Sequence, residues 1–296
     1  MNKVLTPFLN PVSWIRAYLY NRKNARFDKS AYDLELYLYS RILKNDMLHY
    51  GYFEDVQVAP ETISLKQLED AQVRYAENIM DRITDQEHAI LDAGCGMGGF
   101  SALLLAKGFK PEALTPNLNQ VAHIRNKYPE LTCYPVKFED FKTENKYGTL
   151  IHSESLQYIR LQEAFDKAEK ILIPGGKWII ADYFRTGGSS GNKSGHLLSD
   201  FQTTLEQRNW KILEEQDITL NVLPTISFVN MYAERFLLPL KHFAFEKLRF
   251  KKGWLYYLTQ NLRESISNKM NKELASVDPE IFLKEKKYML YVLGKQ

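Results

Sequence analysis

The segment that most constrains the fold of this 296-residue chain is a glycine-rich turn between a short apolar stretch and a helical one. It reads Ile90-Leu91-Asp92-Ala93-Gly94-Cys95-Gly96-Met97-Gly98-Gly99-Phe100. Glycines at such a turn let the backbone bend tightly and let a ligand approach the amides of a helix N-terminus. The segment therefore predicts a strand-turn-helix unit that binds a nucleotide-type ligand.

Beyond this turn the chain alternates between short apolar stretches and helical patterns, which is typical of a parallel sheet covered by helices. Strands are predicted at 89–93, 112–115, 132–136, 149–153, 176–182, 210–219 and 287–294. Helices are predicted between them, including one from His196 to Asn209. The alternation predicts an α/β domain.

Helical patterns flank this alternating region. Apolar residues recur at helical spacing in 13–24 and 32–43, and a further helix is predicted at 64–83 with Ser64 as its N-cap. Residues 222–283 have the pattern of an all-helical insertion before the last strand. The predicted parts are a helical cap, a core, a helical lid insertion and a last core strand, at 1–83, 84–221, 222–283 and 284–296.

Composition excludes several classes of protein. The two cysteines cannot form a disulfide framework, and no apolar run approaches the roughly 20 residues of a membrane-spanning helix. A net charge of +3 predicts no nucleic-acid partner, and no metal-binding Cys-x-x-Cys or His-Glu-x-x-His spacing occurs. Pro7 and Pro11 interrupt the N-terminus before a secretory signal could form, so we expect a reduced, cytoplasmic setting.

The glycines alone leave the ligand ambiguous, because Gly94, Gly96 and Gly99 also satisfy the dinucleotide pattern Gly-x-Gly-x-x-Gly. A dinucleotide site needs an acid at the end of the second strand to bind the ribose, but that strand ends in Thr115. Here the acid, Asp92, lies before the glycines. This position suits a ligand with a positive end and no pyrophosphate, such as S-adenosylmethionine (SAM).

At these positions the sequence resembles the class I SAM-dependent methyltransferases, over about Tyr50 to Asp182. Leu68–Gln72, the glycine turn and Leu114–His123 are similar to the cyclopropane-fatty-acid and mycolic-acid branch, and several features are shared with tocopherol- and sarcosine-type small-molecule methyltransferases. The resemblance implies an α/β fold with a Rossmann-like, seven-stranded, mostly parallel sheet and helices on both faces. It also implies an N-terminal helical cap.

The same resemblance implies where SAM binds. Thr115 and Gln120 would contact the ribose and methionine side, while Phe138 stacks on the adenine and Glu139 accepts from its exocyclic amine. The cap would close over the methionine end. The complete implied cofactor-binding set is His49, Tyr50, Asp92, Ala93, Gly94, Cys95, Gly96, Gly98, Thr115, Gln120, Phe138, Glu139 and His152.

The end of the fourth strand departs from the cyclopropane branch, whose Glu-His pair helps hold a bicarbonate base. The matching residues are Gln157 and Tyr158, and a neutral amide cannot replace that carboxylate. We therefore expect methyl transfer to nitrogen, oxygen or an activated carbon of a small lipophilic or aromatic molecule. Two alternatives stay open, a SAM-binding scaffold without catalysis and a SAM-assisted cyclisation.

The catalytic candidates are His49, as a weak base, and Tyr158, which would orient the acceptor. Glu154 is interpreted as mainly structural, although it falls near the expected acceptor site. The aromatic residues of the insertion would suit a flat, lipophilic or cationic acceptor. The predicted substrate-binding residues are Tyr52, Glu154, Tyr158, Phe228 and Tyr232.

The insertion is also basic. Residues 241–272 contain eight lysines and arginines against two glutamates, a net charge of +6 within a chain of +3. A solvated helix face, an anionic acceptor and a membrane surface each fit this pattern. Membrane contact through this insertion or through the N-terminal cap is therefore left open.

Overall fold

A seven-stranded sheet forms the centre of the computed structural model, which describes residues 10–24, 42, 44–187 and 194–295. The strands occur in the spatial order β3-β2-β1-β4-β5-β7-β6. Strand β7 runs antiparallel to both neighbours, and the other pairs are parallel. The strands are β1 (Ile90–Ala93), β2 (Pro111–Leu114), β3 (Thr132–Tyr134), β4 (Tyr147–Ser153), β5 (Leu172–Arg185), β6 (Trp210–Asp217) and β7 (Lys286–Lys295).

All seven predicted strands are confirmed, and the largest difference is at the start of β5. The sequence predicts a start at Gly176, because Pro174 and Gly175 interrupt the apolar pattern. In the structure Leu172 already pairs with Tyr147, and the register shifts before the regular pairing resumes. The turn residues Pro174 and Gly175 therefore lie within β5, at an irregularity in its pairing with β4, and do not end the strand.

The helices are α1 (Pro11–Asn24), α2 (Leu65–Met80), α3 (Gly99–Ala106), α4 (Leu118–Lys127), α5 (Leu161–Ile171), α6 (Leu198–Gln207), α7 (Thr219–Tyr232), α8 (Leu238–Lys251), α9 (Gly253–Leu258), α10 (Gln260–Ser276) and α11 (Pro279–Glu285). Ser64 caps α2 through a capping box with Gln67, which confirms the predicted N-cap. Most of the helix predicted at 32–43 lies outside the described residues.

The core lies on both faces of the sheet, as the sequence predicts. Helices α5 and α6 cover one face, where Phe165 and Phe201 belong to the same buried cluster as Trp178 of β5. Helices α2 and α3 cover the other, where Tyr75 and Phe100 belong to a second cluster. Successive residues of a strand point to opposite faces, so the apolar run of β5 is buried on both sides.

Helices α7 to α11 form the predicted insertion between β6 and β7. It begins at Thr219 rather than at residue 222, and α7 buries Val222 and Ile226 against the sheet. A π-helical segment, Ala233–Leu237, precedes α8. Pro239, in the first turn of α8, has no backbone N–H to donate to the preceding turn, so a regular α-helical hydrogen bond is missing at this junction. No helix of the described residues is long and apolar enough to cross a membrane.

Candidate functional site

A cleft of about 350 Å³ opens where β1, β2 and β4 end. In a doubly wound sheet the chain leaves β1 and β4 toward opposite faces, and this divergence creates a crevice at the carboxyl edge. The loops after these strands and the segment before Tyr50 form its walls. The cleft brings together nine of the predicted site residues, namely His49, Asp92, Gly94, Cys95, Gly96, Thr115, Gln120, Glu154 and Tyr158.

The glycine turn forms one wall of this cleft. Gly94, Gly96 and Gly98 have φ angles of 91°, 56° and 84°, in the left-handed region that glycine tolerates best. A Cβ atom on Gly94 would lie 2.4 Å from Cβ of Ser155. The turn therefore requires glycine at position 94 for its backbone conformation and for its close packing.

Asp92 lies at the base of the turn, buried but lining the cleft. Its Oδ2 accepts a hydrogen bond of 2.5 Å from the hydroxyl of Ser101, which is a neutral donor. Burial raises the pKa of Asp92 to about 6. A cationic group in the cleft would compensate this carboxylate, as the sequence leads us to expect for an ammonium.

A second cavity of about 210 Å³ adjoins the cleft and shares Gly94, Ser155 and Tyr158 with it. Phe138 and Glu139 line this cavity, so an aromatic ring and a carboxylate lie side by side there. Ala93 of the predicted set is also part of its wall. The two cavities together form an elongated site, with one end suited to a cation and the other to a flat heterocycle.

Thr115 and Gln120 lie together in the cleft wall after β2. The Thr115 hydroxyl donates a hydrogen bond of 2.7 Å to Oε1 of Gln120, and both residues line the cleft. Asn117 caps α4 and thereby sets the start of the helix that carries Gln120. The side-chain amide and hydroxyl are thus placed at the end of β2, where the resemblance puts the ribose contacts.

His49 lies in the cleft wall with its ring stacked on Tyr75 at 4.2 Å. Its Nδ1 is 2.8 Å from the carbonyl oxygen of Tyr50, so Nδ1 carries the proton and donates it. Burial lowers the pKa of His49 to about 4, and its buried Nε2 has no hydrogen-bond partner. The ring is therefore neutral at pH 7 and is a weaker base than an ordinary histidine.

Glu154 adopts a left-handed backbone conformation, with φ of 53°, directly after β4. Its Oε1 accepts hydrogen bonds from the backbone N–H of Tyr50 at 2.7 Å and from the Tyr288 hydroxyl at 2.8 Å. Burial raises the pKa of Glu154 to about 7. A non-glycine residue in this conformation is uncommon and costs free energy, so the surroundings hold this carboxyl group in place at the cleft.

Tyr158 lies at the rim of both cavities and is 79% exposed. The backbone N–H of its neighbour Gln157 donates to a carboxylate oxygen of Asp182 at 3.0 Å. Burial raises the pKa of Asp182 to about 8, with the nearby Glu154 adding to the shift. Tyr158 can contact a ligand at the entrance of the cleft. Its side chain is exposed to solvent, however, whereas a proton acceptor in the site would be buried.

His152 was predicted to contact the cofactor, but the structure places it behind the wall of the smaller cavity. Its side chain is fully buried, and its Nδ1 accepts a hydrogen bond of 2.9 Å from the Trp178 indole. Its ring packs edge-on against Phe138 at 4.7 Å. Strand alternation directs His152 into the apolar core, so it supports Phe138 from behind.

The remaining predicted residues lie outside the cleft and the cavity beside it. Tyr52 donates its backbone N–H to the Ala71 carbonyl, and Phe228 is buried in the same small apolar cluster as Ala71. Tyr232 is half-exposed and stacks on Phe236. Gly98 packs against Ile124. Tyr50 contacts the cleft residues through its backbone, because its N–H donates to Glu154 and its carbonyl oxygen accepts from His49. The aromatic lid expected over the cleft is not formed by Phe228 or Tyr232, because both face other parts of the insertion and cap.

No protein-family model matches the sequence, and no curated protein matches it either. The structure is similar to a candidate sarcosine dimethylglycine methyltransferase from Galdieria sulphuraria, with a TM-score of 0.66, 13% identity, and coverage of 91% of this chain and 98% of that one. It is also similar to the geranyl diphosphate C-methyltransferase of Streptomyces coelicolor A3(2), with a TM-score of 0.60, 15% identity, and coverage of 91% and 99%. The [4+2]-cyclase SpnF matches with a TM-score of 0.60 and 18% identity, over 84% of this chain and 87% of that one.

The chain has a Rossmann-like methyltransferase fold. This confirms the sequence resemblance at the level of the fold, a seven-stranded, mostly parallel sheet with helices on both faces. The structure adds that β7 is the antiparallel strand. Contact of the individual site residues with a cofactor stays a prediction. Among the described residues, no group of three or more His, Cys, Asp and Glu side chains is arranged to hold a metal ion.

Sequence reasoning missed one feature of this methyltransferase fold, the anchoring of the cleft wall by Asp46. Its Oδ2 accepts hydrogen bonds from His123, Lys127 and Tyr128 at 2.8, 2.7 and 3.0 Å, all from α4 or its C-terminal end. Burial would raise the pKa of Asp46, but these hydrogen bonds and the charge of His123 lower it overall. The anchor holds residues 46–49 against the fold, so that His49 lines the cleft.

We expect Asp46→Asn to lower the free energy of unfolding by about 1–3 kcal/mol, because a buried acceptor of three hydrogen bonds loses its charge. SAM affinity should fall several-fold at the same time, since the anchored segment lines the cleft. Thermal unfolding and calorimetric titration with SAM measure the two effects. Asp70→Asn is the matched control, because its ion pair with Lys66 is exposed and screened by solvent, so its loss should leave stability nearly unchanged. Equal effects of the two variants would contradict the anchor.

Proposed function

We propose that this protein binds SAM and transfers its methyl group to a nitrogen, oxygen or activated carbon atom of a small lipophilic or aromatic molecule. The observation that carries the proposal is Asp92, a buried carboxylate with a neutral donor, at the foot of a left-handed glycine turn in an elongated site. The named methyltransferases that share the fold act on small molecules, geranyl diphosphate among them. The cytoplasmic setting stays a prediction.

The residues of the site fit the two ends of SAM. Asp92 would face the ammonium group, and the Thr115 and Gln120 side chains would contact the ribose side. Phe138 would stack on the adenine while Glu139 accepts from its amino group. Bound SAM supplies a methyl group already activated by its sulfonium, so the protein mainly has to position the acceptor.

We assign proton acceptance to Glu154 rather than to His49. A general base is most effective when its pKa lies near the working pH, and burial places the pKa of Glu154 at about 7. His49 has a pKa of about 4 and would accept a proton only weakly. Its unpartnered Nε2 is instead suited to accept a hydrogen bond from the acceptor molecule or from the cofactor.

A second candidate function is catalysis by a SAM-binding protein without methyl transfer. The observation that favours it is the similarity to SpnF, which is a [4+2]-cyclase. In that case the cleft residues would hold SAM while the substrate reacts beside it, and S-adenosylhomocysteine would not form. Measuring S-adenosylhomocysteine release with candidate acceptors separates the two functions.

Chemical labelling of the two cysteines provides a direct test of cofactor binding. Cys95 is half-buried and lines the cleft, whereas Cys133 is buried in the core. A hydrogen bond with Cys133 and burial raise the pKa of the Cys95 thiol, so the labelling is carried out at alkaline pH. We expect saturating SAM to slow alkylation of Cys95 by at least about tenfold, because the bound ligand would cover the glycine turn. Mass spectrometry of labelled peptides measures the protection, and calorimetry measures the dissociation constant.

The control for this test is S-adenosylhomocysteine, which should protect Cys95 as well, while adenine alone should protect it less. Cys95→Ser should still bind SAM, which shows that the thiol reports on binding and is not required for it. Unchanged labelling of Cys95 in saturating SAM, with no heat of binding, would overturn the proposed cofactor. Binding without any S-adenosylhomocysteine release would favour the second candidate function.

A further inference from the structure

Helices α8, α9 and α10, which we call the outer insertion (residues 238–276), bury no side chain within the protein. Many of their exposed residues are nevertheless large and apolar. On α8 they include Leu240, Phe243 and Phe250, the last of which is 78% exposed. On α10 Leu262 and Ile266 are exposed one turn apart. Contiguous apolar exposure of this kind indicates a surface that binds something.

The exposed residues of α8 share one face of the helix. Leu240, Phe243, Lys247 and Phe250 follow one another at spacings of three and four residues, which places them in one row. Phe236, in the preceding π-helical segment, extends the row by one turn and is also exposed. The row is therefore a stripe of aromatic and aliphatic side chains that contains a single lysine, Lys247.

Positive charge surrounds this stripe. The outer insertion carries eight lysines and arginines against three glutamates. One of the glutamates, Glu246, pairs with Arg249 at 2.8 Å. Lys247 lies 5.3 Å from the Phe243 ring centroid, and Arg249 lies 5.0 Å from that of Phe250. Cations and aromatic rings are thus presented on the same surface.

We propose that the outer insertion docks on an anionic lipid surface. Exposed aromatic and aliphatic residues mixed with lysine and arginine are suited to the boundary between lipid headgroups and acyl chains. A second copy of the chain fits less well, because a symmetric contact would bring two basic faces together. A lipid surface with negative headgroups satisfies both the apolar stripe and the charge.

The root of the insertion links this surface to the cleft. On α7, the Thr225 hydroxyl accepts a hydrogen bond of 3.0 Å from the backbone N–H of Gly51. The side chain of Asn221, also on α7, donates to the carbonyl of Phe53 at 2.9 Å. Gly51 follows His49 of the cleft wall by two residues. Lipid docking would therefore hold the cap segment and its cleft near the source of a lipophilic acceptor.

Vesicle co-sedimentation tests the proposal without any knowledge of the acceptor. We expect the full-length protein to bind vesicles of phosphatidylcholine and phosphatidylglycerol (3:1) and to bind pure phosphatidylcholine at least tenfold more weakly. Lys247→Glu/Lys251→Glu/Lys269→Glu should weaken binding to the anionic vesicles by at least about a hundredfold, since each lysine near such a surface contributes roughly fivefold. Binding should also weaken as salt is raised.

Two matched controls separate this surface from general charge and hydrophobicity. Lys107→Glu/Lys142→Glu/Lys211→Glu makes the same charge change at exposed positions of the sheet domain and should bind within about threefold of the wild type. Phe243→Ala/Phe250→Ala should weaken binding about tenfold or more, whereas Leu65→Ala/Ile212→Ala, at exposed apolar positions elsewhere, should not. Circular dichroism and thermal unfolding verify that each variant is folded.

Equal binding to neutral and anionic vesicles would overturn the proposal, as would equal effects of the two triple variants. A dimer that dissociates on Phe243→Ala/Phe250→Ala, together with no vesicle binding, would assign the surface to self-association instead. The proposal does not depend on the proposed enzymatic function. Vesicle binding can fail while SAM binding and S-adenosylhomocysteine release succeed, and the reverse outcome is equally distinguishable.

Discussion

Gly94→Ala is expected to weaken SAM binding by at least about a hundredfold and to lower the free energy of unfolding by about 2–4 kcal/mol. The left-handed conformation of Gly94 costs an alanine roughly 1–2 kcal/mol. In addition, the new Cβ would lie 2.4 Å from Cβ of Ser155, so the turn or the loop after β4 must move. Both of these segments line the cleft, and calorimetric titration measures the loss of affinity.

Gly108→Ala is the matched control, because Gly108 has nearly the same φ, 88°, but no atom within 4 Å of an added Cβ. It should cost roughly 1 kcal/mol of stability and leave SAM affinity unchanged. Gly94→Ala/Ser155→Gly removes the clashing Cβ and should regain part of the lost affinity. If Gly108→Ala weakened SAM binding as much as Gly94→Ala, close packing at the turn would not explain the effect.

Glu154→Gln is expected to lower kcat for methyl transfer by roughly 10²–10⁴-fold, the usual contribution of a general base. SAM affinity should stay within a few-fold, because the glutamine oxygen can still accept from Tyr50 and Tyr288. The carboxyl group accepts a proton only when ionised, and its pKa is about 7. The wild-type rate should therefore rise as pH increases from 6 to 8, and the rate of the variant should not.

The pH profile also distinguishes Glu154 from His49. With a pKa of about 4, His49 is neutral from pH 6 to 8, so a reaction that used it as base would show a flat profile there. His49→Gln is expected to raise KM more than it lowers kcat, since its ring lines the cleft. A flat wild-type profile with full activity of Glu154→Gln would remove Glu154 from the mechanism.

The stability of Glu154→Gln gives a second, independent measurement. A carboxyl group whose pKa is raised by folding favours the protonated folded state, so the folded protein loses stability as pH rises from about 4.5 toward 7. Replacing it with a neutral amide removes this loss. We therefore expect the variant to be at least as stable as the wild type at pH 8. When the pH is lowered from 8 to 5, the wild type should gain more stability than the variant. Thermal unfolding at the two pH values measures both effects.

Local sequence was sufficient to predict the strands and the glycine turn. Strands such as β1, β2 and β4 are short apolar runs bounded by turn residues, and Asp92 and Gly94 act within one strand-turn-helix unit. The resemblance implies a cofactor contact for His152, but the structure buries its side chain against Trp178 of the neighbouring strand. Strand alternation is not enough to place it, because only the packing shows which face of β4 lies behind a cavity wall.

The chemistry of Glu154 could not be derived from its neighbours in sequence. Its hydrogen-bond partners come from Tyr50, 104 residues away, and Tyr288, 134 residues away. A pKa shift depends on such distant burial and contacts, whereas the sequence supplies only the ordinary pKa of a glutamate. The Asp46 anchor was missed for the same reason, because α4 brings its partners from about 80 residues along the chain.

The position of β7 between β5 and β6 has a consequence for how the protein folds. Asp217 of β6 pairs with Met289 of β7, and the whole helical insertion separates them in sequence. Such pairing closes a long loop and is intrinsically slow. Helices that form locally within the insertion should therefore reduce the entropy cost of bringing β6 and β7 together. Tyr288 reaches Glu154 only when β7 has docked. In a chain that has formed every earlier strand, Glu154 would still lack its hydrogen bond from Tyr288, and the proposed catalytic site would be complete only after the final pairing step of folding.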